Sequence, residues 1–227
     1  SRVINLMGGA VTLGPGKIVA EELSEKIRSH LDIQKERENT RHLKPAVKFY
    51  QECAARAQKA GIVLDVFVSA LDQVGIIEMK SCFEMTGGFY IMTDSFGNPV
   101  FKESFKKFFE VDDNNELKMG FLTQVKVFTQ PSDFKVSGAI GQCAPIKTDK
   151  KNFVSSTEIG VGQTNTWYMG GMDRNKSLAL YFDVVSTQSL TQKKKICMQF
   201  QTQYQHVNGT KRLRVTTVQK HMSVAED

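Results

Sequence analysis

A glycine-rich segment near the N-terminus contains the residue types of a phosphate-binding loop. It reads GGAVTLGPGK over residues 8–17. A Walker-type nucleotide loop needs two glycines five positions apart, followed directly by Lys and then by Ser or Thr. Gly9 and Gly14 have this spacing, but Pro15 stands in place of the Lys, and the next lysine, Lys17, is followed by isoleucine. Because proline also removes a backbone N–H from the loop, the segment is predicted to be a tight turn without a nucleotide.

Histidine and carboxylate side chains show no catalytic arrangement in the sequence. His30, His42, His206 and His221 are scattered, and none lies in a nucleophile motif such as G-x-S-x-G. Asp72 is the one acid expected at the carboxyl end of a parallel strand, where doubly wound sheets bind ligands. One carboxylate makes no acid–base pair, so we expect Asp72 to cap the helix that follows. The chain is predicted not to be an enzyme.

The four cysteines give no metal site. Cys53, Cys82, Cys143 and Cys197 form no C-x-x-C pair, and no histidine lies at ligand spacing from them. Few, scattered cysteines are typical of a reducing compartment. No cofactor is predicted within the chain.

The segment QFQTQYQHVNGTKRLRVTTV, residues 199–218, is predicted to be a β-hairpin. Asn208-Gly209 suits a two-residue type I′ turn, in which both central residues have positive φ. That turn would pair Tyr204 with Leu213. The polar face would then carry Gln201, Gln203 and Gln205 opposite Thr216, Arg214 and Arg212.

A basic cluster precedes this hairpin and is the candidate contact for a membrane or a partner. Lys193, Lys194 and Lys195 could form one patch with Arg212 and Arg214. Such a patch would attract phosphates or acidic lipids. Two simpler interpretations remain open: the lysines could protect a sheet edge from pairing, and the arginines could lie on the solvated face of a sheet.

The charge of the chain is unevenly distributed. The formal net charge is +6, and residues 112–227 carry 15 basic and 10 acidic residues, against 15 and 14 in residues 1–111.

No apolar run is long enough for a membrane span, and no signal-peptide pattern is present. A nucleic-acid surface would require exposed aromatic residues for stacking, and the polar face of the predicted hairpin has none, so no nucleic-acid partner is expected.

The first half of the chain alternates strands and helices. This order is typical of one half of a doubly wound parallel sheet. Strands are predicted at 2–9, as a buried strand that ends at glycines, and at 62–71 and 89–92. Helices are predicted at 41–61, 75–88 and 98–110.

The second half changes to strands joined by short turns, which indicates an antiparallel sandwich. The predicted division is an α/β domain over 1–111 and an all-β domain over 112–227. The strands are predicted at 119–130, 133–142, 164–172, 177–185 and the hairpin 196–219.

Several of these stretches together resemble one known family. They are GGAVTLGPGK, ALDQVGIIEMKSC, TGGFYIMTDSF, FKESFKKFF, KVSGAIG, LALYFDVV and QFQTQYQHVNGTKRLRVTT. In this order they resemble the inner-coat subunit of COPII vesicles that activates the small GTPase Sar. The resemblance runs from about residue 2 to residue 219. Two lysine-rich loops, 147–157 and 186–195, depart from the family pattern.

The resemblance implies an architecture for the chain. Residues 1–111 would be the C-terminal half of a von Willebrand A-like trunk domain, and residues 112–227 would be an incomplete β-sandwich that also takes strands from further upstream. A zinc finger would precede the trunk, and helical and gelsolin-like domains would follow the sandwich. The zinc site and the arginine finger that stimulates GTP hydrolysis would therefore lie outside this fragment.

The resemblance also implies a function and partners. The full-length protein would act in the cytoplasm, peripherally on the endoplasmic reticulum membrane and on COPII vesicles. Its partners would be the paralogous cargo-binding coat subunit, a Sar-type GTPase, the outer coat and acidic lipids. The alternative is a von Willebrand A-type adhesion or ligand-binding module without a coat function.

Overall fold

The fold is described from a computed structural model of the chain. It covers residues 1–22, 25–147, 151–185 and 195–221. Two compact units are present, Ser1–Lys118 and Met119–Asp227. No helix within these described ranges is long and apolar enough to cross a membrane.

The first unit is built on a three-stranded parallel sheet with β2 in the centre. Consecutive residues of β2 are buried, so both of its faces are covered, as expected for a central parallel strand. The 3₁₀ turn Glu38–Thr40 precedes α2. The elements are β1 (Arg2–Met7), α1 (His30–Gln34), α2 (Leu43–Lys59), β2 (Val63–Ser69), α3 (Ile76–Thr86), β3 (Tyr90–Thr93) and α4 (Pro99–Phe108).

The two faces of β2 pack against different partners. Phe67 is fully buried and makes edge-to-face contacts with Phe101, Phe105 and Phe108 of α4. Neighbouring valines of β2 point to the opposite face, where they form an apolar cluster with Phe83 of α3 and with nearby residues. Strand β2 thus holds α3 and α4 on the two sides of the sheet.

Strand β1 differs from the sequence-based expectation of a buried strand. It forms one edge of the described sheet, and Leu6 is 61% exposed. An apolar strand is predicted to be buried on both faces, but within the described residues β1 has a strand neighbour on one side only. The helices agree with the predicted spans to within two residues at each end, apart from the short α1, which was not predicted.

The second unit contains a five-stranded and a two-stranded antiparallel sheet. The larger has the order β10-β9-β4-β7-β6, and the smaller pairs β5 with β8. The 3₁₀ turn Lys151–Phe153 lies between β6 and β7. The strands are β4 (Met119–Phe128), β5 (Phe134–Gly141), β6 (Ala144–Pro145), β7 (Thr166–Asp173), β8 (Leu178–Val184), β9 (Lys195–His206) and β10 (Lys211–His221).

Residues of both sheets form the core of this unit. Val127 of β4 and Trp167 of β7 lie in one apolar cluster with Val136 and Ala139 of β5, and all four are fully buried. The Trp167 indole Nε1 donates to the carbonyl of Val161 at 2.8 Å. This bond satisfies the single polar atom that Trp167 brings into the core.

Candidate functional site: the basic hairpin

The hairpin of β9 and β10 forms where the sequence predicted it, but with a different turn. The His206 N–H donates to the Thr210 carbonyl at 2.8 Å, and the Gly209 N–H donates to the His206 carbonyl at 2.9 Å. Gly209 has φ +87°, whereas Asn208 is not among the residues of positive φ. The loop therefore has three residues, Val207, Asn208 and Gly209, with Gly209 in the left-handed position that follows a type I turn.

The predicted register is wrong by one residue because of this turn. Arg212 lies opposite Tyr204, and Arg214 lies opposite Thr202. The glutamines lie on the other face, where Gln203 is opposite Leu213. When the pairing of two strands shifts by one residue, the side chains of one strand share a face with the other set of side chains of its partner. The arginines and the glutamines therefore lie on opposite faces of the hairpin, and the predicted continuous ribbon of glutamine and arginine does not exist.

Within the described residues, the predicted basic residues are not gathered into one patch. Lys193 and Lys194 lie outside the described residues. Lys195 is exposed at the start of β9, opposite His221. Lys195 lies nine positions before Tyr204, the partner of Arg212, which corresponds to roughly 30 Å along a strand. Lys195 and the two arginines therefore occupy opposite ends of the hairpin.

Arg212 and Arg214 lie on the edge strand of the larger sheet. Every residue of β10 is exposed. Neither arginine forms an ion pair with another described residue, so both guanidinium groups are open to a partner outside the described chain. This exposed cationic edge is the strongest candidate surface for a contact.

The glycine-rich segment is closed by packing against helix α2. Gly16 lies against Phe49 and Tyr50, where an added Cβ would come within 2.8 Å of the Phe49 ring and of the Tyr50 hydroxyl. The Tyr50 hydroxyl donates to the Gly16 carbonyl at 3.0 Å, and burial raises the pKa of Tyr50 to about 12. The segment is thus held against α2 by packing and by this hydrogen bond.

Asp72 does not have the predicted capping role. Strand β2 ends at Ser69, and Asp72 lies in an exposed bend. Helix α3 begins after Gly75, which has φ +87° and makes no side-chain capping bond. The expected cap is wrong because Asp72 lies three positions before Gly75, the N-cap residue, and not at the N-cap position itself.

Two buried ion pairs were missed by the sequence analysis. Asp65 of β2 is fully buried and accepts two bonds from Arg2 of β1, with Nη2 to Oδ1 at 2.5 Å. Arg28 is buried against Glu78 of α3, with Nε to Oε1 at 2.9 Å. The single acid inside an apolar strand was a visible signal for Asp65. No pattern in the sequence pointed to Arg28, because its partner is 50 residues away.

A surface cavity of the second unit was also missed. It has a volume of ≈ 590 Å³ and is lined in part by Lys135, Ser155, Gln163 and Asp183. The Ser155 hydroxyl donates to the Asp183 carboxylate, and this bond holds the pKa of Asp183 below its ordinary value. The Asp183 carboxylate is therefore held in its ionised form.

Family models match both units of the chain. Residues 1–111 match the Sec23/Sec24 trunk domain, and residues 103–223 match the Sec23/Sec24 β-sandwich domain. The chain belongs to the Sec23/Sec24 family. The resemblance inferred from the motifs is confirmed at this level, and so is the fold class, an α/β domain followed by an antiparallel β-sandwich.

A solved structure has the same fold as this Sec23/Sec24 chain. The human COPII-coat protein Sec24c superposes with a TM-score of 0.61 at 16% sequence identity. The match covers 98% of this chain and 26% of the Sec24c chain. The chain thus spans about a quarter of the length of that relative.

Proposed function

We propose that the chain is the trunk and β-sandwich region of an inner-coat subunit of COPII vesicles, acting in transport from the endoplasmic reticulum to the Golgi. The observation that carries the proposal is the presence of both Sec23/Sec24 domains, consecutively and in order, over residues 1–223. A von Willebrand A-type adhesion module would account for the α/β unit alone. It gives no reason for the sandwich that follows.

The finer proposal is the GTPase-activating subunit rather than its cargo-binding paralogue. It rests on the motifs of the chain, above all TGGFYIMTDSF and QFQTQYQHVNGTKRLRVTT. In that subunit an arginine supplied to the GTPase stabilises the charge that develops during phosphoryl transfer. The proposal assigns this arginine, and the zinc of the zinc finger, to regions outside these 227 residues.

The proposed partners are those of the coat. They are the cargo-binding subunit, a Sar-type GTPase, the outer coat and an acidic membrane surface on the cytoplasmic side of the endoplasmic reticulum. Two observations support the membrane contact. One is the excess of positive charge in residues 112–227, and the other is the exposure of Arg212 and Arg214 on β10, which form no ion pair with another described residue. Together with Lys193, Lys194 and Lys195, these residues are the proposed contact set.

Affinity purification of the tagged full-length protein tests this proposal. Cell extracts are prepared with and without a non-hydrolysable GTP analogue, and the bound proteins are identified by mass spectrometry. We expect the cargo-binding subunit in nearly equal amount under both conditions and a Sar-type GTPase only with the analogue. Recovery of an extracellular ligand with neither coat protein would contradict the proposal.

A further inference from the structure

Helices α2 and α3 pack against each other, and each carries one cysteine. Cys53 belongs to α2, and Cys82 belongs to α3. They are the two cysteines of residues 1–118, and both are free thiols. Cys82 is 7% exposed, whereas Cys53 is half-buried. A pair of thiols on neighbouring helices is a candidate site for oxidation.

The thiol of Cys82 reaches the backbone of α2. Its Sγ donates to the Tyr50 carbonyl at 3.7 Å, so α3 approaches α2 closely at this point. Residues three apart on a helix share a face, with Cβ atoms about 5–6 Å apart, and helical side chains point back toward the N-terminus. The Cys53 side chain, three residues after Tyr50, therefore points toward the turn that the Cys82 thiol contacts.

Two further features agree with a short distance between the thiols. The buried side chains of α2 are those of Ala46, Ala54 and Ala57, and small side chains allow two helices to lie close together. Burial, and next the negative charge of an ionised Cys53, raise the pKa of Cys82 to about 12. The second of these effects requires proximity, because interactions between charges weaken with distance.

We propose that Cys53 and Cys82 form a disulfide between α2 and α3 when the protein meets hydrogen peroxide. In a reducing compartment the pair would rest as two thiols, and the disulfide would last only while the oxidant is present. The bond requires the two Cβ atoms to be about 3.5–4.5 Å apart, which closely packed helices allow. The proposal does not rest on the coat function, because both cysteines lie within one unit of the chain.

The exposure of the two thiols sets the order of the steps. Peroxide oxidises the more accessible Cys53 thiol to a sulfenic acid, and one water is released. The Cys82 sulfur then attacks the Cys53 sulfur, and the S–O bond breaks. The departing hydroxide takes the Cys82 proton and leaves as a second water. One molecule of peroxide thus accepts the two electrons that the two thiols lose.

Peptide mapping of the full-length protein tests the proposal. The reduced protein is treated with hydrogen peroxide, its remaining thiols are alkylated after unfolding, and it is digested with trypsin. Cys53 is the one cysteine of the tryptic peptide 49–56, and Cys82 is the one cysteine of the peptide 81–102. We expect these peptides as a disulfide-linked pair, about 2 Da lighter than the two reduced peptides together. Dithiothreitol should separate them.

The folded state should accelerate the bond. In the folded protein the linked pair should form at least about tenfold faster than in urea, because the packed helices hold the two thiols at a high effective concentration. Cys197, a half-buried thiol of the other unit, is the matched control within the same sample. We expect peroxide to oxidise Cys197 without joining it to Cys53 or Cys82.

Two variants separate the roles of the thiols. Cys53→Ser changes a half-buried side chain, so it should fold normally, as circular dichroism would verify, and its Cys82 should stay reduced. Cys82→Ser should leave Cys53 as a sulfenic acid, which dimedone traps. Neither variant should give the linked pair.

Three results would overturn the proposal. Trapping of Cys53 by dimedone in the unsubstituted protein, with Cys82 still a free thiol, would show that the two thiols do not meet. Reduced Cys53 beside oxidised Cys197 would show that Cys53 is covered in the full-length protein. A linked pair that forms equally fast in urea would show that the packing of α2 on α3 contributes nothing to the bond.

Discussion

Asp65 is a buried carboxylate whose partners come from β1 and from the residue that precedes β3. It pairs with Arg2, and its Oδ1 also accepts from the Phe89 N–H at 2.8 Å. Substituting Asp65→Ala leaves the largely buried Arg2 without its counter-ion and the Phe89 N–H unsatisfied. We expect a loss of about 3–5 kcal/mol in the free energy of unfolding, measured with urea.

An exposed ion pair provides the control for this prediction. Lys106 and Glu103 of α4 pair at 3.1 Å, with both side chains 73% exposed. Glu103→Ala should change the free energy of unfolding by at most about 0.5 kcal/mol. Equal losses for Glu103→Ala and Asp65→Ala would mean that burial does not determine the strength of these pairs.

The pKa of Asp183 should depend on the hydroxyl group of Ser155. The serine hydroxyl lowers the pKa of Asp183 in the folded state. Its bond to the carboxylate therefore stabilises the fold at pH values above the pKa of Asp183 in the unfolded chain, about 3.9, and this stabilisation is lost as the pH falls below that value. Ser155→Ala should therefore raise the pKa of Asp183, measured by NMR titration. Its destabilising effect should be larger at pH 7 than at pH 3.

Asp32 is the internal control for that titration. Bonds from the Ser29 backbone and the Asn39 side chain lower its pKa, and it lies in the other unit of the chain. Ser155→Ala should leave the pKa of Asp32 unchanged. A parallel change in both pKa values would show that the substitution acts through general unfolding.

At the scale of elements, we expect substitutions of the two neighbouring turn residues Asn208 and Gly209 to have effects of different size. Gly209 has positive φ, which costs a residue with a side chain about 1–2 kcal/mol. Asn208 lacks positive φ, and its Oδ1 accepts from the Thr210 N–H at 3.0 Å. Gly209→Ala should speed amide exchange throughout the hairpin, while Asn208→Ala should have a smaller effect. Similar, large effects of both would instead favour the type I′ turn.

Helix capping gives a second prediction at this scale. Asn98 caps α4, since its Oδ1 accepts from the Val100 N–H at 2.8 Å, whereas Asp72 does not cap α3. We expect Asn98→Ala to cost about 1 kcal/mol in unfolding free energy and Asp72→Ala to change it by less than about 0.5 kcal/mol. Thermal unfolding of both variants checks this. A larger loss for Asp72→Ala would restore its capping role.

At the scale of the whole molecule, the proposed function predicts low GTPase activation by these 227 residues. An arginine finger accelerates GTP hydrolysis by about 10³- to 10⁵-fold, and the proposal places that arginine outside this chain. A turnover assay with a Sar-type GTPase should show less than about twofold stimulation. The full-length protein in the same assay is the positive control, and strong stimulation by residues 1–227 would refute the assignment of the arginine.

The sequence by itself determined the order and type of the main elements. Apolar residues at helical spacing in α2 and α4, and the continuous apolar run of β2, are local patterns that each element must satisfy to bury one stripe or both faces. The change of period near residue 112 likewise predicted the passage from an α/β unit to an antiparallel one. These features depend on neighbours in sequence, so they can be inferred without the fold.

The tertiary structure decided what depends on distant partners. Asn208-Gly209 is compatible with two kinds of hairpin loop, and the choice between them reversed the faces of Arg212 and Arg214. The pairs Arg28–Glu78 and Ser155–Asp183 join residues 50 and 28 positions apart. Their identity follows from packing between elements, because a side chain's counterpart is set by which surfaces meet and at what register.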